Sequence, residues 1–174
     1  MAYKFFRDSR HKSYEVCMQQ DPMSCGIACV AMIENIVKHT RGYNETTLQE
    51  KSQDIGFGGY HELGGTYLGN MAQLLREEGI DCPGYAYCNP VSMDQVLGFY
   101  LRAQKPAILQ VTWENGGRHY VLGVGMHGQE TVVICDPGSG VVEAKLHMLP
   151  RYQTKYQHKK AVGMINGWYM PAVR

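Results

Sequence analysis

The sequence predicts an α+β fold, with a helical first half and a mostly antiparallel sheet in the second, and three observations carry that reading. Residues 25–38, CGIACVAMIENIVK, are apolar on nearly every side through Met32, as in a helix buried within its domain. The pattern then changes at Lys105-Pro106. Beyond that point AILQVTW (107–113), HYVLGVGM (119–126), ETVVICD (130–136) and GVVEAKL (140–146) are β-rich runs separated by glycine-containing turns. Helices followed by strands, rather than alternating with them, give α+β order.

Taken in order, Ser24 is the expected N-cap of the helix 25–38. A second, weaker helix is read over 46–54. The stretch GFGGYHELGG (56–65) is no phosphate loop, because no Gly-Lys-Ser/Thr follows, and it reads as a mobile surface loop at the lip of a cleft. Residues 66–78 form a helix ended by Gly79. Residues 92–104 form another, opened by a Ser92/Gln95 capping box and stopped by Pro106. AVGMINGWYM (161–170) is the last strand. No repeat or linker interrupts the chain, so one domain is expected over 1–174, helical to about 105 and sheet from about 106.

A length of 174 residues with 44% apolar and 19% charged content suits an ordinary globular protein with a substantial core. Net charge is +1 with no basic stripe, which argues against a nucleic-acid partner. No apolar run is long enough to span a membrane. MAYKFFRDSRHK lacks the apolar stretch of a secretory signal. The expected location is the cytoplasm as synthesised, with any secretion by a route that needs no such signal. The six cysteines include no C-x-x-C pair and read as reduced, scattered thiols. Cys25 and Cys29, at i, i+4, could join a distant histidine at zinc, but structural zinc sites favour closer ligand pairs.

Cys25 stands where its helix begins, with Gln19 six residues ahead. A nucleophilic cysteine acts as thiolate, and an ordinary thiol has a pKa of about 8.5. A helix N-terminus and a neighbouring imidazolium both lower it. Six of the seven histidines (His11, His39, His61, His127, His147 and His158) lie in polar or loop-like surroundings. His119 instead opens an apolar strand. If strands 119–126 and 130–136 form a hairpin around a two-residue turn His127-Gly128, Met126 faces Gln129 and His119 faces Asp136. Directly opposed side chains meet, so Asp136 would orient the imidazole. Acyl transfer also needs donors preset where charge develops on oxygen. The Cys25 N–H and the Gln19 amide are the candidates, with Gln20 as an adjacent competitor.

Gln19, five intervening residues, Cys25-Gly26, a buried helix, then His119 and Asp136 in that order resemble the papain-like cysteine peptidase superfamily. QQDPMSCGIACVAM is similar to the nucleophile segment of bacteriocin-processing peptidase domains of ABC exporters. KPAILQVTWENGGRHYVLGVG and VVICDPGSG are similar to the His and Asp segments of that branch and of papain-like bacterial effector proteases. The resemblance covers roughly residues 17 to 140. It implies a papain-like fold in which a helical half holds Cys25, a sheet half holds His119 and Asp136, and a peptide lies in the cleft between. The exporter peptidases carry Asp where this chain has Ser24, and papain carries Asn where it has Asp136.

The expected activity is a thiol hydrolase cleaving an amide bond in a peptide or protein, with no metal or organic cofactor. The same residues would serve a protein glutamine deamidase or an acyl transferase, and a catalytically inactive binding module is the remaining alternative. A free cytosolic protease endangers its maker, so an exported effector or toxin, or control by an inhibitor or immunity protein, is the expected context. Cys17, Cys29, Cys82, Cys88 and Cys135 read as small buried hydrophobes. Trp113 and Tyr120 read as core, with Trp113 placed to wall the cleft, and Tyr152 and Tyr156 read as surface packing.

Overall fold

The computed structural model describes residues 2–39, 44–148, 151–156 and 159–172. His158 and the side chain of Tyr156, read above as polar and surface-packed, lie outside the described residues.

The chain opens not on a helix but on an antiparallel hairpin, β1 (Ala2–Arg7) and β2 (Ser13–Met18). This hairpin precedes the helices within the part, to about residue 105, that the sequence reads as helical. The hairpin turns on Asp8, whose Oδ1 accepts the backbone N–H groups of Arg10 and Lys12, both at 2.9 Å. An aspartate between YKFF and YEVC was the available signal. Phe6 seats the hairpin on the rest of the molecule. Its ring lies so close to Gly140 that a Cβ there would fall 2.3 Å from Cε1.

The buried helix α1 spans Cys25–Lys38, as its periodicity predicts. Ser24 occupies the N-cap position without capping through its side chain, because its Oγ donates to the Asp21 carbonyl at 2.9 Å. Helix α2 spans Glu45–Asp54 and is capped by Asn44, which accepts from the Thr47 N–H. Helix α3 (Leu68–Glu77) runs out at Gly79, whose φ of +73° favours glycine. A short strand β3 (Ala86–Tyr87) precedes α4 (Met93–Arg102). The Ser92/Gln95 capping box does not form: Ser92 makes no side-chain cap bond, and the Gln95 N–H goes to Asp94 Oδ1 at 2.8 Å.

The second half supplies β4 (Ala107–Trp113), β5 (Arg118–His127), β6 (Thr131–Asp136), β7 (Gly140–Lys145), β8 (Tyr152–Tyr156) and β9 (Lys159–Pro171). Among the described residues they form one seven-stranded antiparallel sheet in the order β3-β9-β4-β5-β6-β7, with β8 also on β9. The fold is therefore α+β, helices first and mostly antiparallel sheet second.

Strand alternation divides the core between the two sheet faces. Ile108, Leu122 and Cys135 join α1 and α3 through Ile27, Met71 and Leu74. Leu109, Val121 and Ile134 join α4 and Tyr152 on the other face. Each fully buried aliphatic side chain contributes about 1.5–3 kcal/mol relative to exposure.

The β5–β6 register differs from the expected one. The turn is three residues, 128–130, and His127 belongs to the strand, facing Thr131. That slip alone would send His119 and Asp136 to opposite faces. An extra residue at Val124, between the pairs Gly123–Ile134 and Gly125–Val133, restores the parity. The ladder reaches Leu122–Cys135 and, extended one step, sets Asp136 against Val121. His119 is then a diagonal neighbour on the same face rather than the directly opposed residue. Diagonal pairs remain within reach of long side chains.

Candidate active site

The turn Pro137-Gly138-Ser139 follows Asp136 at the end of β6 and leads into Gly140. Asp136 is completely buried, so its charge must be met by donors. Its Oδ1 accepts the Gly138 N–H at 2.7 Å and lies 2.8 Å from His119 Nε2. Its Oδ2 accepts the Tyr152 hydroxyl at 2.7 Å. Asp136 is thus both the turn former its DPGSG context suggests and the partner of a histidine.

His119 is 6% exposed, and Nε2 on Asp136 leaves Nδ1 as the atom free to meet another group. Cys25 is the other group whose presence bears on the ring. Burial alone would favour neutral imidazole. The hydrogen bonds and charges of Asp136 and Cys25 outweigh it and raise the His119 pKa to about 10. Burial likewise works against the Asp136 carboxylate, yet His119, then Tyr152 and the Gly138 N–H, hold its pKa below the usual value.

Cys25 is the first residue of α1, 7% exposed, and belongs to the core on the α1 face. His119 and Asp136 share the opposite face with Val121. The two sides meet where β5 begins and β6 ends. The indole of Trp113 stacks on the His119 ring, with centroids 5.4 Å apart and planes 24° from parallel, so it walls the site.

Gln19 reaches the same place by a different tether. Its backbone N–H donates to the Pro137 carbonyl at 3.0 Å, joining the end of β2 to the turn after Asp136. With Pro22, Trp113, Arg118 and His119 it lines a hollow of about 450 Å³. Its amide N–H groups donate to the carbonyls of Asp21 (3.0 Å) and Pro22 (3.1 Å), and its Oε1 is buried without a partner. The amide is therefore occupied in this state. Gln20 is exposed and ties its backbone N–H to Glu45.

Two further hollows share Tyr67 and Arg118, and one of them includes Cys25. A narrow recess of about 80 Å³ is lined by Cys25, Gly64, Gly65, Tyr67 and Arg118. A wider one of about 700 Å³ is lined by Phe57, Tyr67, Tyr85, Gln110, Arg118 and Trp168. Arg118 borders all three hollows. The loop 56–65 contributes Phe57, 98% exposed, along with Gly64 and Gly65, so it forms part of the cleft wall.

The sequence reading missed Tyr152. Expected on the surface, it is fully buried beneath Asp136. Nothing local in RYQTKY distinguishes it, because its burial follows from the pairing of β8 with β9. Tyr120 is core as expected, its hydroxyl accepting from Gln110 at 2.9 Å. All six cysteines are free, and among the described residues Cys25 and Cys29 join no cluster of metal-ligating groups. No described helix is long and apolar enough to cross a membrane.

A helical layer packed to a mostly antiparallel sheet, with Cys25 opening a buried helix and His119 paired with buried Asp136, is the arrangement expected of a papain-like cysteine peptidase. The sequence model of the Peptidase C39 family matches residues 13–157, and the chain belongs to that family. Its substrate is accordingly a peptide or protein. No curated protein matches the chain. Among solved structures, the crystal structure of the Pseudomonas avirulence protein AvrPphB is similar to it at 8% identity and a TM-score of 0.44, over 88% of this chain and 92% of that one.

Proposed function

We propose that this peptidase cleaves amide bonds through Cys25 as nucleophile, His119 as proton carrier and Asp136 as the group that orients the ring. The observation that carries the reading is the buried hydrogen-bonded chain Tyr152–Asp136–His119, with Cys25 among the groups that act on the ring. In this mechanism Cys25 Sγ attacks the carbonyl carbon, and the electron pair of the carbonyl moves onto oxygen. The Cys25 backbone N–H, at the positive end of α1, donates to that oxygen. Gln19 is the proposed second donor, and it must release one of its two carbonyl partners to serve. His119 gives its proton to the leaving amine, then takes one from the water that releases the acyl group.

Reactivity of the thiol tests the reading directly. Burial pushes the thiols of Cys17 and Cys135 up to about 12, that of Cys29 well above the ordinary value, and those of Cys82 and Cys88 upward as well. Limiting iodoacetamide at mildly acidic pH, where an ordinary thiol is only about 1% thiolate, should therefore label Cys25 selectively. The labelling should be lost in His119→Ala. Equal labelling of all six cysteines would overturn the proposal. Incubation with denatured protein then separates peptide cleavage from the ammonia release of a deamidase.

A further inference from the structure

A second cluster of chemistry-bearing groups lies at the opposite end of β5 from His119, about 26 Å along the strand at roughly 3.3 Å per residue. The register that draws His127 into the strand brings its Nε2 to 2.8 Å from Asp8 Oδ2 and 3.2 Å from Glu143 Oε1. One ligand atom from each residue lies within 4.8 Å of the others. Asp8 comes from the turn of the first hairpin and Glu143 from β7, so three segments distant in sequence converge.

The two closest atoms, Asp8 Oδ2 and His127 Nε2, pair at 2.8 Å with poor hydrogen-bond geometry. The Asp8 side chain is completely buried, yet Oδ2 makes no hydrogen bond of proper geometry, and neither does the buried Nε2 of His127 only 2.8 Å away. The Tyr14 hydroxyl leans on the same carboxylate. Asp8 Oδ1 is committed to two backbone N–H groups, while Glu143 Oε1 accepts from the Ser9 hydroxyl at 2.8 Å and the Ser9 N–H at 3.3 Å. These contacts hold both carboxylates in place, with Asp8 Oδ2 set against His127 Nε2. Buried polar atoms ordinarily find partners.

We infer that Asp8, His127 and Glu143 form a binding site for a divalent cation of the zinc class, which ties the β1–β2 turn to the sheet. Ligands about 2.0–2.1 Å from a tetrahedral ion lie roughly 3.3 Å from one another, so the 3.2 Å separation fits an ion and the 2.8 Å one must widen by about half an ångström to admit it. The imidazole nitrogen selects against the hard cations Mg²⁺ and Ca²⁺. The Glu143 side chain is 25% exposed, so water has access to complete the coordination on that side. Because β2 leads on to Gln19 and Cys25, the bound ion steadies the strand that feeds the active site without touching it.

The test is a calorimetric titration of Zn²⁺ into the chelator-treated Cys25→Ala protein, which removes the competing active-site thiol. One equivalent should bind and raise Tm, while Mg²⁺ should give no heat. Binding should weaken at least tenfold in both His127→Gln and Glu143→Gln. The Glu143 side chain is partly exposed, so Glu143→Gln decides the matter if the His127 variant does not fold. Absence of Zn²⁺ binding, or binding unchanged in Glu143→Gln, overturns the inference and leaves His127 as a plain polar partner of Asp8 and Glu143.

Discussion

Replacing Tyr152 with Phe removes a single oxygen from the interior. The ring stays, so no large cavity opens, and the loss is the hydrogen bond from the Tyr152 hydroxyl to Asp136 Oδ2 at 2.7 Å. Burial and the Asp136 charge hold the phenol pKa well above its usual value, so the hydroxyl donates as a neutral O–H throughout the working pH range. A hydrogen bond to a charged, buried acceptor is worth about 1.5–3 kcal/mol, against about 0.5–1.5 for a neutral pair. Tyr152→Phe should therefore cost about 2 kcal/mol by urea unfolding at pH 7. The sign of its pH dependence follows from Asp136, whose carboxyl pKa is held below the ordinary value in the folded state. The carboxylate's contribution is present above the unfolded pKa and lost as pH falls through the folded one. The cost should thus shrink toward about 1 kcal/mol only as pH falls through that lowered pKa and a neutral bond replaces a charged one. A loss under about 0.5 kcal/mol at pH 7, or one independent of pH, would refute the reasoning.

His119 gives the opposite dependence: its folded pKa of about 10 exceeds the ordinary 6.5, so its stabilisation is complete below about 6.5 and lost as pH rises toward 10. Denaturant melts of wild type and His119→Gln should converge as pH is raised from 6 to 10, and a gap that widens would contradict the pairing. Gly163→Ala would place a Cβ 2.6 Å from Trp113 Cε3 and 2.8 Å from the Thr112 carbonyl oxygen. The backbone atom cannot yield cheaply, so a cost of about 1–3 kcal/mol is expected. Because Trp113 stacks on His119, peptidase activity should fall as well, and unchanged Tm with unchanged activity would show that Trp113 is not held from this side.

The sequence by itself determined what short-range periodicity can encode. A run apolar on nearly every side through Met32, within a stretch of helical length, reads as a buried helix, and it runs from Cys25 to Lys38. Strand β4 also matches residue for residue, because Pro106 and the turn ENGG bound an apolar run. Cys25 at a helix start, His119 at a strand start and Asp136 before a turn were legible for the same reason. What brings them together was not. A third turn residue and the extra residue at Val124 each shift the register by amounts that hydrophobic alternation does not record, and only their combination returns His119 and Asp136 to one face. Tyr152 lies beneath Asp136 because β8 pairs with a strand that follows it, and the Gln19 amide is engaged because the chain before α1 folds back on it. The same register carries His127 to Asp8 and Glu143. Local sequence sets which residues are available, and long-range pairing, whose free energy is shared over the whole sheet, decides which of them meet.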